Sequence, residues 1–194
     1  MSTLYRKLIF LLFLTGLTTS LQAQSPYYLK TTKLTVSGTS TLHEWTSDAT
    51  KVEWAGLFLV QDKKIVQAKD VQVKIPVTSI KSEKGKTMDN KTYEAFNSEK
   101  NPNIIYKLTS IKVSGTGPDF TLDATGTLTM AGATQSIQMP VKAKLLANGD
   151  IQLTGSKKLN MKDYKMVPPT AIMGTIKVGE EVTVNFDLTV TATK

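Results

Sequence analysis

Eight stretches of this chain alternate apolar and polar residues, and little else in the sequence could cover the apolar face they create. The last is the clearest. Val182, Val184, Phe186, Leu188 and Val190 fall on one side, and Thr183, Asn185, Asp187 and Thr189 on the other. Alternation at period two marks a strand with one buried face. A sheet with one apolar face must be covered by helices, by a second sheet or by its own closure. Only one short helical pattern is present, so the alternation predicts an all-β fold: an eight-stranded antiparallel up-and-down barrel. Periodicity by itself leaves a two-sheet sandwich open.

The strands are expected over residues 28–37, 52–61, 65–77, 104–113, 120–130, 136–146, 151–161 and 181–191. Asn148-Gly149-Asp150 is a strong hairpin signal, because Asn and Gly tolerate the positive φ of a tight turn. Residues 62–64, 115–118 and 131–133 make three more turns, so neighbours in sequence become neighbours in the sheet. In the fourth strand the apolar phase slips between Leu108 and Ile111, which predicts a bulge. Pro76 and Pro140 cannot donate a ladder hydrogen bond, so they belong at a bulge or beyond the end of a partner strand. Residues 87–97 read as a helix with Met88, Thr92, Ala95 and Phe96 along one side and Tyr93 beside them. Asp89 suits its N-terminus, and Asn101-Pro102 stops it. This helix is too short to cover a sheet, but long enough to plug one end of a barrel. Residues 160–179, with Pro168-Pro169, read as irregular.

The first 23 residues stand apart. Arg6 and Lys7 precede an apolar run that ends in small residues around Ala23, the pattern of a secretory signal. The run is too short for a bilayer, which takes about 20 residues. The expected organisation is a signal peptide over 1–23 and one barrel domain over 24–194, exported to the periplasm or secreted. Removing Arg6 and Lys7 takes two from the net charge of +8, leaving a mildly basic domain.

An outer-membrane barrel also alternates, with its apolar face toward lipid. Three features oppose that orientation. Lys74, Lys142 and Lys144 put charge on the polar faces in mid-strand, there are no girdles of Trp and Tyr, and the chain ends Thr191-Ala192-Thr193-Lys194 without a terminal aromatic. The apolar face therefore points inward. The inside of such a barrel is either filled by side chains or holds one small ligand. Ala124, Gly126 and Ala143 would leave room.

Catalytic signatures are scarce. There is no cysteine, which excludes disulfides, thiolate metal sites and cysteine nucleophiles. His43 is the single histidine, with no nucleophile elbow near it and no second imidazole for a zinc site. It reads either as a polar group at the barrel mouth or as a turn residue bonded to backbone. A lipid-processing enzyme with His43 as base is the least supported option. Lysines cluster at Lys81, Lys84, Lys86 and Lys91 and again at Lys157, Lys158, Lys162 and Lys165. These read as solvated surface, or as an attraction to anionic lipid head groups or an envelope polyanion. Nothing suggests a nucleic-acid groove.

Several segments together resemble the YceI-like polyisoprenoid-binding proteins, secreted bacterial domains with a lipocalin-like barrel. The first is Val36-Ser37-Gly38-Thr39-Ser40-Thr41-Leu42-His43-Glu44-Trp45, and the second Val73-Lys74-Ile75-Pro76-Val77-Thr78. Tyr93-Glu94-Ala95-Phe96 with Asn101-Pro102, Gly126-Thr127-Leu128-Thr129-Met130-Ala131-Gly132, and Met161-Lys162-Asp163-Tyr164 with Pro168-Pro169 follow in order. The resemblance spans about Leu34 to Val190. The helix region carries lysines where well-known members often have His and Arg.

The resemblance implies a lumen that takes an isoprenoid quinone, another polyprenyl chain or a fatty-acid derivative, held as carrier or reservoir without a reaction. Trp54, Phe58, Phe96, Phe186 and Leu128 would wall it. Met88, Met130, Met139, Met161 and Met173 are soft enough to fit an irregular chain. His43, Tyr93 or Tyr164 would meet a polar head. No metal and no cofactor beyond a bound isoprenoid or acyl lipid is expected. A transient contact with a membrane surface and a homodimer are both compatible with this reading. The competing reading is an interaction module with a packed barrel, binding through its lysines.

Overall fold

A computed structural model describes residues 24–171 and 173–192; the expected export signal lies outside them. The strands are β1 (Ser25–Ser40), β2 (Glu44–Ala49), β3 (Glu53–Gln61), β4 (Lys64–Pro76), β5 (Ile80–Ser82), β6 (Asn103–Thr116) and β7 (Asp119–Met130). They continue with β8 (Ala133–Leu145), β9 (Ile151–Asn160), β10 (Thr170–Ala171) and β11 (Ile176–Thr191), and among the described residues one α-helix, α1, covers Lys86–Phe96. Around the ring the order is β1-β3-β4-β6-β7-β8-β9-β11, and β11 pairs back onto β1 along most of its length. This closed eight-stranded antiparallel barrel settles the choice against a sandwich.

All eight expected strands are present. The shorter β2, β5 and β10 were not expected, and two of them explain how the ring is built. β1 pairs first with β3 (Tyr28 opposite Ala55) and then, in the same register, with β2 (Thr35 opposite Asp48). β2 and β3 are thus one stave broken at residues 50–52. β5 likewise continues β4 past a single 3₁₀ turn at Val77–Ser79. The two breaks are tied to each other. The Thr50 N–H and hydroxyl both donate to Ser79 O at 2.9 Å, and Ser79 Oγ donates to Pro76 O at 2.7 Å.

β5 has no partner on its other side, where β6 has not yet begun, and α1 fills that gap. Asp89 is buried and its Oδ1 accepts the Ser82 N–H at 2.7 Å. Tyr93 Oη donates to Thr78 O at 2.9 Å, and Lys81 Nζ stands 3.4 Å from Asp89 Oδ2. The helix ends at Asn97 in the left-handed region (φ 49°), with its N–H bonded to Glu94 O and Tyr93 O, a common helix stop for Asn.

The local irregularities fall where the chain chemistry requires them. The β6 bulge lies between Leu108 and Ser110. Pro76 is paired with Asn103 on one side and lies past the end of β3 on the other. Pro140 sits next to Val141, where the β8–β9 ladder stops opposite Gly155. Asp62-Lys63 and Ala131-Gly132 have positive φ throughout, as two-residue hairpins need.

The apolar positions turn inward. β7 shows it cleanly, with Phe120, Leu122, Ala124, Gly126, Leu128 and Met130 buried and each residue between them partly open. Outward positions carry Lys74, Lys142 and Lys144, and the large exposed hydrophobics among the described residues are Leu42, Val66, Val167 and Met173. Such an exterior has no apolar band for a bilayer.

Candidate functional site

The barrel is not filled by its own side chains. A cavity of about 370 Å³ runs down its axis, within the range of small-molecule sites. The end that carries the β3–β4, β6–β7 and β8–β9 hairpins is shut. Tyr27, Phe58, Ile65, Phe120, Ile151 and Val190 pack together there. The Tyr27 ring meets Phe58 edge-on at 5.2 Å between centroids, and Trp54 stacks over Phe58 at 6.1 Å. Asp150 clasps this floor from outside: its Oδ2 accepts Lys30 Nζ at 2.7 Å and Asn148 Nδ2 at 2.9 Å. The Lys30 ammonium, with Thr191 and Asn148, holds the Asp150 carboxyl below the usual carboxylate range.

The other end is open. Its rim is the β1–β2 turn with Ser40 and His43, helix α1 with Met88, Thr92 and Phe96, and the 161–178 connection with Met161, Met166 and Val178. The pieces are tied together. Thr41 N–H donates to Lys177 O at 3.0 Å, and Gln135 Nε2 donates to Asp163 O at 2.7 Å.

Glycines keep the bore open. Trp45 lies against Gly38, Trp54 against Gly56, Tyr106 against Gly126 and Phe186 against Gly155. A β-carbon on Gly38 would sit 2.6 Å from the Trp45 ring, and one on Gly56 2.8 Å from Trp54. A glycine in mid-strand marks such a close approach. Each large ring therefore lies along the wall instead of projecting across the lumen.

The structure places Trp54, Phe58, Met88, Phe96, Leu128, Met130, Met139, Met161 and Phe186 in the cavity lining. Met173 is not there: it occupies an exposed turn with φ 53° before β11, pointing to solvent. Tyr93 does not reach the lumen either, because its hydroxyl is spent on Thr78 O and on Lys81 Nζ in docking the helix. Tyr164 is buried in the cluster around Met161 and Met166 and is not a lining residue. His43 lines the mouth, but it is exposed, and its backbone does the bonding. Ser40 Oγ donates to His43 O at 2.9 Å and accepts the His43 N–H at 3.2 Å.

Several polar lining residues were not anticipated, among them Ser47, Lys84 and Lys91 and, deeper in the wall, Tyr106 and Lys157. Tyr106 has its hydroxyl buried without a hydrogen-bond partner among the described residues, and burial pushes its pKa up. Lys157, grouped by sequence with surface lysines, occupies an inward position of β9 and also lines the cavity. Their signal was strand parity: Tyr106 is in phase with Ile104 and Leu108, and Lys157 with Leu153 and Leu159.

Chemically, this is an apolar tube with one opening and few polar groups. A family model, the YceI-like domain, matches residues 23–190. The chain belongs to the YceI-like family. Solved structures share the fold of this YceI-like protein. Burkholderia cenocepacia BcnA is 17% identical, with a TM-score of 0.64 over 82% of this chain and 96% of its own. A polyisoprenoid binding domain from Saccharophagus degradans, implicated in plant cell wall breakdown, is 12% identical, with a TM-score of 0.63 over 87% of this chain and 98% of its own. A Campylobacter jejuni YceI protein is 18% identical, with a TM-score of 0.52 over 72% and 83%. No curated protein matches the chain in sequence. The fold and family are those the sequence motifs indicated.

Proposed function

We propose that this YceI-like protein is an exported carrier or reservoir for a long-chain amphiphile, which it holds in the barrel without chemical turnover. The observation that carries this reading is the open-ended apolar cavity of about 370 Å³. At roughly 30 Å³ per water-sized group, it takes about a dozen methylenes. Burying them is worth about 10 kcal/mol at ~0.8 each. After several kcal/mol of association cost, that is enough for micromolar binding. A polyisoprenoid binding domain among the structural relatives is in keeping with such an occupant.

Loading and release take place at a membrane surface, through the open end. Leu42, Val167 and Met173 are exposed there. Lys84, Lys86, Lys165 and Lys177 stand on the same rim without ion pairs among the described residues, and outnumber the carboxylates of Glu44, Glu83 and Asp163 there. Apolar tips with surrounding cations suit an anionic lipid surface.

The test is organic extraction of protein purified from its native host, followed by mass spectrometry. The expected result is a stoichiometric isoprenoid or acyl compound, and recovery of the mature chain beginning near Gln24 in the periplasmic fraction. An interior empty of lipid in native protein overturns the reading.

A further inference from the structure

The inner limit of the cavity is sharp. On β7 the lining reaches Leu122 and stops short of Phe120, the next inward position. On β9 it reaches Leu153 and stops short of Ile151, and on β11 it reaches Leu188 and stops short of Val190. Ile151 and Val190 are fully buried. At this level lies the Trp54–Phe58 pair, its rings stacked within 6° of parallel. Both residues line the lumen, whereas Tyr27, which meets Phe58 edge-on, does not.

The bore above this level is narrow. Leu122 and Met130, eight residues apart on β7, both line it. At ~3.4 Å per residue and a strand tilt of about 40°, that is a depth of roughly 20 Å. Spread over that depth, 370 Å³ gives a mean cross-section of roughly 18 Å², a circle about 5 Å across. Carbon atoms in contact lie about 4 Å apart, so the bore takes one chain and not two side by side. A guest one chain wide varies chiefly in length, and the stacked rings are what its inner end meets.

We infer that Trp54, backed by Phe58, is a chain-length stop. The barrel is filled by a single chain of about a dozen carbons, and carbons beyond that number stay outside the mouth in water. This rests on the carrier reading and deepens it by naming the residue that sets which lengths are held tightly. Each methylene that reaches the bore multiplies affinity by about four. Each one past the stop adds nothing.

The experiment measures displacement of a fluorescent fatty acid from delipidated mature protein at neutral pH, by unbranched fatty acids of about eight to twenty carbons. Affinity is expected to climb about fourfold per carbon and to level off near about twelve. Trp54→Leu, with about six fewer heavy atoms, is expected to move the break up by about two to three carbons. Leu188→Phe, which builds out from the same level, is expected to move it down by about two. A general loss of stability does not shift the break in opposite directions. Trp54 also reports arrival directly. In Trp45→Phe it is the only tryptophan, and a bromine on the last carbon of a chain of about twelve is expected to quench it. The same label on a chain of about eight is not, because its carboxylate stays at the mouth. Affinity that climbs at one rate to the longest chain, or a break that neither floor variant moves, overturns the inference and leaves the carrier reading standing. Should the floor variants not fold, the quenching series decides alone, and equal quenching at every length overturns the inference. Failure of every chain to bind overturns both.

Discussion

Phe186 and Gly155 are direct cross-strand partners, and the phenyl ring of the first lies on the bare backbone of the second. The atoms nearest a β-carbon there all belong to that ring, with Cε1 at 2.9 Å and Cε2 at 3.1 Å. Gly155→Ala would therefore push Phe186 off the wall and into the bore. The expected cost is about 1–3 kcal/mol of stability, as for overpacking, measured by urea unfolding. Lipid affinity is expected to fall with it. A smaller, ringless side chain at the same place, Gly155→Ala with Phe186→Leu, is expected to recover both.

Two alanines at inward positions should respond differently to the same change. Ala124 lines the cavity, whereas Ala143 is packed in the closed floor. Ala124→Phe is expected to fold and to block the lipid, because the new ring has empty space to occupy. Ala143→Phe meets no space and is expected to lose about 1–3 kcal/mol. Thermal unfolding and lipid titration of the two variants check this, and similar behaviour of both would place the cavity elsewhere.

The clasp of Lys30 on Asp150 gives a signed pH dependence. Because the folded-state pKa of Asp150 is depressed, its stabilising effect is complete above the unfolded carboxylate value of about 4. It is lost as pH falls through the lower folded value. The unaltered protein is expected to be more stable than Asp150→Asn at neutral pH, with the difference closing in strong acid. Denaturant midpoints measured from pH 7 down to pH 2 test it, and a gap that stayed constant across the range would remove the ion pair from the account.

Replacing Leu42 and Met173 together with serine should separate kinetics from affinity. Neither side chain is packed in the fold, so equilibrium binding is expected to stay within about twofold. Lipid transfer to vesicles rich in anionic phospholipid is expected to slow several-fold, and transfer by the unaltered protein to slow as salt screens the rim lysines. Stopped-flow transfer of a fluorescent lipid reads both.

His43→Ala is expected to leave lipid affinity within about threefold, since the backbone of this residue, through Ser40, holds the turn. Ser40→Ala should disturb the mouth more than the loss of the imidazole does.

The barrel was legible because its staves are long and regular. Phe120 to Met130 and Val182 to Val190 keep strict parity, and the prolines marked where pairing must end. β2 was not legible: Glu44–Ala49 offers Trp45, Ser47 and Ala49 to the inside, and two of these are too small or polar to announce an apolar face. Within the site, the side chains picked for bulk and softness, Met173 apart, are among those that line the cavity. Met173 misled because nothing local distinguishes a methionine in a turn from one in a core. Tyr93 misled because a hydroxyl's partner is fixed by tertiary contacts, here with Thr78 and Lys81, and Tyr164 because its ring packs into the cluster around Met161 and Met166. Lys157 was hidden by its neighbour Lys158, which shares its chemistry but faces the other way.

The aromatic floor has a consequence for traffic. A tube stopped at one end cannot serve as a conduit between two compartments. Whatever enters past His43 and α1 must back out along the same path, tail last, with its head nearest the door. On the carrier reading, entry and exit compete for that one path, and the pace of exchange is set by how long a guest stays.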